Sequence, residues 1–305
     1  MKQVLEAFEL LSSPRVTGRD VAELLRSRGL TEVEVEHVAG EQAETDFIAC
    51  HIPGRDPQRP ALGIIGRLGG LGARPHVVGL VSDADGAITA VAAALKLADM
   101  ARQGDLLPGP VRIHTHICPG AATRPGAPVR MMRSPLPAGE MMQREVHPHM
   151  AAILSVDTTR GNRLVNQRGV AITPVVREGW LLPIPDDILD ILGWVSGRLP
   201  VTLPLTTQDI TPQENGLAHI NSIMQPSVVG NAPVIGVALT SQTVVPGCAT
   251  GASNAADIDI ATRFCIEVAK RFTAGECPFV DEANWQALQR RYGSLRHLQT
   301  LGTAT

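Results

Sequence analysis

The 305-residue chain predicts an α/β fold, a mostly parallel (mixed) central sheet with helices on both faces. Three observations carry that expectation. Strand-like runs bounded by Gly and Pro alternate with helical-period stripes along the length, the order that wraps helices around a parallel sheet. The runs at 151–156 and 233–239 have the apolar character of strands buried on both sides. A long Ala-rich helix pattern after Ser82 lies between two strand patterns, as a crossover helix does.

Taken in order, residues 1–11 read as a short amphipathic helix. Thr17-Gly18-Arg19-Asp20 has the spacing of a capping box, with Val16 and Val21 placed for the flanking hydrophobic staple. A second helix follows, turning Val21, Leu24 and Leu25 inward. Strands are expected at 32–38, 46–51, 61–65 and 76–81. In the helix after Ser82, Ile88, Val91, Leu95 and Ala98 recur at helical spacing, and the run ends at Gly104. A strand is expected at 111–117 and a long Pro- and Gly-rich loop at 119–140. Further strands are expected at 151–156, 170–176 and 233–239, and helices at 186–195 and 253–272. The last helix turns Ile260, Phe264, Val268 and Phe272 to one side. No repeat, low-complexity tract or linker divides the chain, so one domain over 1–305 is expected.

Composition narrows the function. A hydrophobic fraction of 44% with 19% charged residues is that of a soluble globule. The net charge of −3, without Lys/Arg clusters, argues against nucleic acid as a partner, and 3% aromatic residues leave no stacking platform for bases. The N-terminal stretch carries Glu6 and Glu9, unlike a secretion signal, and no window has the roughly 18 uninterrupted apolar residues of a membrane span. Cys50, Cys118, Cys248, Cys265 and Cys277 are odd in number and widely spaced, as reduced thiols in the cytoplasm are.

The chemistry gathers in mid-chain. Asp83 and Asp85 open the Ala-rich helix and suit metal ligation or bridging; equally, Ser82 can cap that helix while the acids complement its dipole. Strand alternation puts His114, His116 and Cys118 on one face, and a His-x-His pair on a strand is a common way to hold zinc; the alternative is a hydrogen-bonded pair near the sheet edge. Asp157 follows an apolar strand, where a turn carboxylate also belongs. His147 and His149 are either a further ligand source or solvated loop histidines. Cys118 suits a nucleophile with its pKa lowered by histidines, or a buried packing thiol; Cys265 belongs to packing. The 66–72 glycine passage lacks the Gly-Lys-Ser/Thr ending of a phosphate loop and the spacing of a dinucleotide loop.

In that order the landmarks resemble the zinc-dependent exopeptidases with a two-metal site, the aminopeptidases and related carboxypeptidases or deacylases. Leu10-Leu11-Ser12-Ser13-Pro14-Arg15-Val16-Thr17-Gly18-Arg19-Asp20 is similar to their N-terminal Pro-Gly-Val-Ser-Gly-x-Glu segment. Ser82-Asp83-Ala84-Asp85-Gly86 resembles the turn whose Asp bridges both metals. Ile153-Leu154-Ser155-Val156-Asp157 looks like the strand whose Asp is a further ligand. The chain also looks like a bacterial and archaeal family of similar length and unknown function. Departures from the exopeptidase pattern are as informative. Where those relatives have His-x-Asp, this chain has Gly66-Arg67-Leu68-Gly69. Where they have Glu-Glu, it has the His114-Thr115-His116 region, and their last His has no counterpart among Val245-Pro246-Gly247-Cys248-Ala249-Thr250.

The resemblance implies a hydrolase-like protein cleaving a small peptide, amide or amino-acid derivative. One divalent metal, zinc or manganese, would be held by Asp83, His114 or His116, and Asp157, with the base a nearby histidine or aspartate. In the lost histidine's place Arg67 supplies a permanent positive charge and could hold a substrate carboxylate. The alternatives are a metal-free binding protein with a degraded site and thiol chemistry at Cys118. The short intervals between the motifs leave no room for a large inserted lid or dimerisation domain, so a neighbouring subunit of a homo-oligomer is expected to help shape the cleft.

Overall fold

A computed structural model describes all residues except 42, 68, 73–79, 125–130, 160–164, 204–209, 213–217, 243–252 and 300–305. The chain opens with helices α1 (Lys2–Leu11) and α2 (Gly18–Ser27), then strands β1 (Val33–Ala39), β2 (Glu44–Ile52) and β3 (Ala61–Gly66). A 3-10 turn (Ser82–Ala84) leads into α3 (Asp85–Arg102), followed by β4 (Val111–Ile117), the short pair β5 (Thr123–Arg124) and β6 (Met131–Met132), α4 (Ala138–Glu145) and β7 (Met150–Thr159). Next come β8 (Gly169–Ile172), β9 (Val175–Arg177), β10 (Trp180–Leu182), α5 (Asp186–Ser196), β11 (Ile210–Pro212) and β12 (Ala218–Asn221). A second 3-10 helix (Ser222–Val228), β13 (Val234–Thr240), α6 (Ala255–Ala274), α7 (Glu282–Tyr292) and a final 3-10 turn (Arg296–Leu298) complete it.

Nine strands form the main sheet in the order β1-β2-β4-β3-β7-β13-β9-β10, with β8 also on β13. Its centre, β4-β3-β7-β13, is parallel, and both flanks are antiparallel, which is the mixed α/β sheet expected. Side-chain alternation divides the core. On one face Leu62, Ile64, Ile113, Leu154, Val156 and Val237 pack beneath α3 and α6. On the other, Phe47, Met141, Met142, Ala238, Ile223 and Met224 pack beneath α4 and the 222–228 turn. Helix α3 is buried almost all round, consistent with a central crossover helix; its Ile88 and Leu95 are fully buried, each stabilising by about 1.5–3 kcal/mol.

Local chemistry explains the ends of the elements. Thr17 Oγ1 accepts from the Asp20 N–H at 3.3 Å, and Asp20 Oδ2 accepts from the Thr17 N–H at 2.8 Å, so the capping box forms. Ser82 is not the cap of α3: the helix starts at Asp85 after the 3-10 turn, with Ala84 at its N-cap. The expected 170–176 strand divides into β8 and β9 around Thr173-Pro174, because proline supplies no N–H to a ladder. The expected 119–140 loop holds the β5–β6 pair and the start of α4. The strand expected at 76–81 falls mostly outside the described residues, and Leu80 and Val81 are not in strand. Glycines bring the start of α3 against the sheet. A methyl on Gly86 would lie 2.2 Å from the Arg67 carbonyl oxygen and 2.7 Å from that of Val156. That close approach sets Asp83 and Asp85 over the carboxyl ends of β3 and β7.

Candidate active site

The candidate residues fall into three groupings, two at the carboxyl end of the parallel strands and one, around His114, reaching from the middle of β4 towards their amino end. The first is a pair of carboxylates. Asp157, near the end of β7, pairs in register with Ala238 of β13, and its Oδ1 accepts the Thr158 N–H at 2.6 Å. Asp83 comes from the 3-10 turn. Both are buried, and the Asp83 carboxyl is pushed well above its ordinary pKa, first by burial and then by the negative charges of Asp157 and Asp85. Asp85 is raised to about 7, chiefly by burial and further by Asp257, although a hydrogen bond with Ser253 pulls the other way; its Oδ1 is buried without a partner. Asp83 thus lies buried where Asp157 and Asp85 repel its ionised form, a repulsion that a divalent cation would relieve.

The second grouping is an ionic network that contains Arg67 and His116. Arg67 follows β3 and is 5% exposed. Its Nη1 lies 3.2 Å from Glu145 Oε2, its Nη2 donates to Gln225 Oε1 at 2.9 Å, and its Nε is buried without a partner. The other oxygen of Glu145 lies 2.8 Å from His116 Nδ1, while His116 Nε2 accepts the Gly69 N–H at 3.1 Å. Both ring nitrogens are therefore assigned: the proton is on Nδ1 and the lone pair on Nε2. Burial pushes Glu145 up, but the Arg67 guanidinium and the His116 hydrogen bond more than offset it, and its carboxyl lies below the ordinary range.

The third grouping is His114. It shares a sheet face with His116, as strand alternation requires, but faces His147, ring centroids 6.0 Å apart, and not the carboxylates. His147 in turn lies 4.9 Å from His149. Burial, then the proximity of His147, lowers His114 to about 4, and its Nδ1 is buried without a partner. Cys118 is buried, and burial raises its thiol to about 12, so this site supplies a packing thiol, not a thiolate. Cys248 lies outside the described residues.

The expected ligands Asp83, His114, His116 and Asp157 thus fall into separate surroundings. Among the described residues, no group of three or more His, Cys, Asp or Glu is placed to hold a metal. Among the described residues, the chemistry of the donors fits a cation at one place. Asp83 and Asp157 offer hard carboxylate oxygens, suited to an ion such as Mn²⁺ or Mg²⁺ that keeps several waters. His116 does not fit, because Gly69 occupies the one lone pair of its ring. Arg67 differs from its expected part too: its terminal nitrogens are engaged by Glu145 and Gln225, which leaves no free fork for a substrate carboxylate.

Glu145 and Gln225 are the site residues that sequence reasoning missed. For Glu145 a signal existed. Met141, Met142 and Glu145 share the buried face of a short amphipathic helix, and an acid in such a stripe needs a buried partner. Gln225, inside the irregular 222–228 turn, had none.

A family model described as "Protein of unknown function (DUF1177)" matches residues 36–302. No curated protein matches the sequence. Among solved structures, the chain resembles "Bottromycin maturation enzyme BotP in complex with Mn" with a TM-score of 0.54 and 16% sequence identity, over 89% of this chain and 70% of that one. At that identity the likeness is one of fold.

Proposed function

The chain belongs to the DUF1177 family of unknown function, and on that premise we propose that it is a hydrolase-like enzyme cleaving a small amide, peptide or amino-acid derivative at the carboxyl edge of its parallel strands. The observation that carries this reading is the buried Asp83–Asp157 pair, whose mutual repulsion makes it a receptor for positive charge. A fold shared with a protein solved in complex with Mn supports it. Asp83 and Asp157 would hold one divalent ion, and such an ion polarises a carbonyl and lowers the pKa of water. The chain itself orients and excludes water. Asp157 is fixed by the Thr158 N–H, Asp83 by the turn that the Gly86 contact presses onto the sheet, and the burial of both keeps the local dielectric low.

The test is titration of Mn²⁺ into protein purified without an affinity tag, followed by calorimetry, with turnover of aminoacyl 4-nitroanilides as the second readout. One site per chain, lost in Asp157→Asn, together with turnover, supports the reading. Absence of binding at millimolar Mn²⁺ overturns it. The missing third ligand among the described residues favours a second reading, a non-catalytic small-molecule-binding member of the fold. Thermal stabilisation by acidic metabolites without hydrolysis would select that one. A single unit over residues 1–305, working as a cytoplasmic homo-oligomer, completes the proposal; limited proteolysis and light scattering check its unity and assembly.

A further inference from the structure

A cavity of about 410 Å³ lies between the start of α1 and the last turns of α3. We infer that it binds a small phosphate-bearing anion with two or more negative charges, at a place separate from the carboxylates. The side chains of Lys2, Lys96 and Arg102 line it, and none of them has an ion-pair partner among the described residues. The acid in the same wall is Asp99, and its carboxylate is already engaged. Arg28 Nη1 donates to its two oxygens at 3.0 and 3.1 Å, and Gln3 Nε2 donates to Oδ2 at 2.8 Å. Burial pushes the Asp99 carboxyl up, but those hydrogen bonds and the charges of Arg28 and Lys2 more than offset it, so it stays ionised and held. Arg28 also pairs with Glu6. Both neighbouring acids thus face Arg28, and the cavity keeps an excess of positive charge.

Helix dipoles account for only part of this arrangement. Arg102, in the last turn of α3, sits at the negative end of that helix, where a cation belongs with or without a ligand. Lys2 has no such reason within its own helix. It lies in the first turn of α1, at the positive end, where no acid is present and the N-cap Met1 supplies no side-chain cap. A negative charge brought from outside relieves that repulsion, and a helix start with free amides suits phosphate oxygens. The Arg102 fork matches two oxygens of one phosphate, while Lys2 and Lys96 act as point charges on the others. The place is remote from the proposed chemistry. Helix α3 carries Asp85 at one end and Arg102 at the other, roughly 25 Å apart at the rise of an α-helix. The anion is therefore a ligand distinct from the substrate of the carboxylate site, and the two sites fill independently.

Inorganic pyrophosphate is the probe, titrated calorimetrically into the intact chain at low salt without added metal. We expect one site per chain with a Kd below about 1 mM. Lys2→Glu, Lys96→Glu and Arg102→Glu should each weaken it by about tenfold or more, with melting temperatures confirming that these exposed changes leave the fold intact. Arg290→Glu, the same charge change at an exposed position on α7, should weaken it by no more than about twofold. Asp83→Asn should leave it unchanged. Neither heat nor added thermal stability at about 10 mM pyrophosphate overturns the proposal. So does equal weakening by Arg290→Glu, which would mean diffuse attraction to net charge. Loss in Asp83→Asn also overturns it, by placing the anion at the carboxylates, and leaves the metal reading to its own titration. Citrate should bind about tenfold more weakly than pyrophosphate; equal affinity overturns the assignment to phosphate.

Discussion

Buried ionisable side chains at this site push stability in opposite directions with pH. His114 is lowered to about 4, so between that value and the ordinary 6.5 the unfolded chain binds the proton that the folded chain refuses. Its contribution is therefore complete above the unfolded value and is lost as pH falls from 6.5 towards 4, by on the order of a few kcal/mol. Urea unfolding at pH 7 and pH 4.5 checks this: His114→Gln should lose less stability on acidification than wild type does. Asp85 has the opposite sign. Its carboxyl is raised to about 7, so the folded state is penalised as pH climbs from 3.8 towards 7. Asp85→Asn should accordingly gain stability over wild type, and the gain should grow through that window, read as a rising difference in unfolding midpoint. The carboxylates were legible in the sequence because each sits where an apolar pattern stops. Their partners were not. Whether His116 meets Asp83 or Glu145 depends on which helix covers its face of the sheet, and no local spacing records that.

Helices and strands were readable wherever burial imposes a period. Residues 111–117 form β4 as expected, and 186–195 lies within α5, since each carries its own repeat. Elements without a strong apolar stripe escaped. Helix α7 buries only Trp285, and the β9–β10 hairpin turns through Glu178 and Gly179 with φ of 47° and 83°, where glutamate gives little warning of a left-handed turn. Helix α4 was hidden because Pro137 and the glycines before it read as loop, although Pro137 is its N-cap. Two changes test the element scale. Thr17→Ala removes the cap of α2 and should cost about 1 kcal/mol with no effect on the site, measured by urea unfolding beside turnover. Gly86→Ala forces a methyl to within 2.2 Å of the Arg67 carbonyl oxygen, a clash with backbone. It should cost about 1–3 kcal/mol and weaken Mn²⁺ binding, because the start of α3 must lift and carry Asp83 with it.

Over the whole molecule the sheet separates two tasks. The face beneath α3 and α6 is apolar over most of its area, while the opposite face mixes Met, Phe and Ile with the charges of Arg67, Glu145 and His116. The class of fold follows from the first face, which is why alternation and composition anticipated it. The second face is where the candidate chemistry lies, and it is assembled from segments as far apart as Arg67 and Gln225. If the carboxylate pair takes up a cation, heating with Mn²⁺ at one hundred times its Kd should show about 2.7 kcal/mol of added stability in wild type, and none in Asp83→Asn. The two outer strands carry a separate consequence. β1 places Glu34 and Glu36 at exposed positions along one border, and β10 is only three residues long at the other. Borders that are charged or brief discourage strand-by-strand growth between molecules. Even at high concentration the main sheet should resist fibril-like stacking along these two borders.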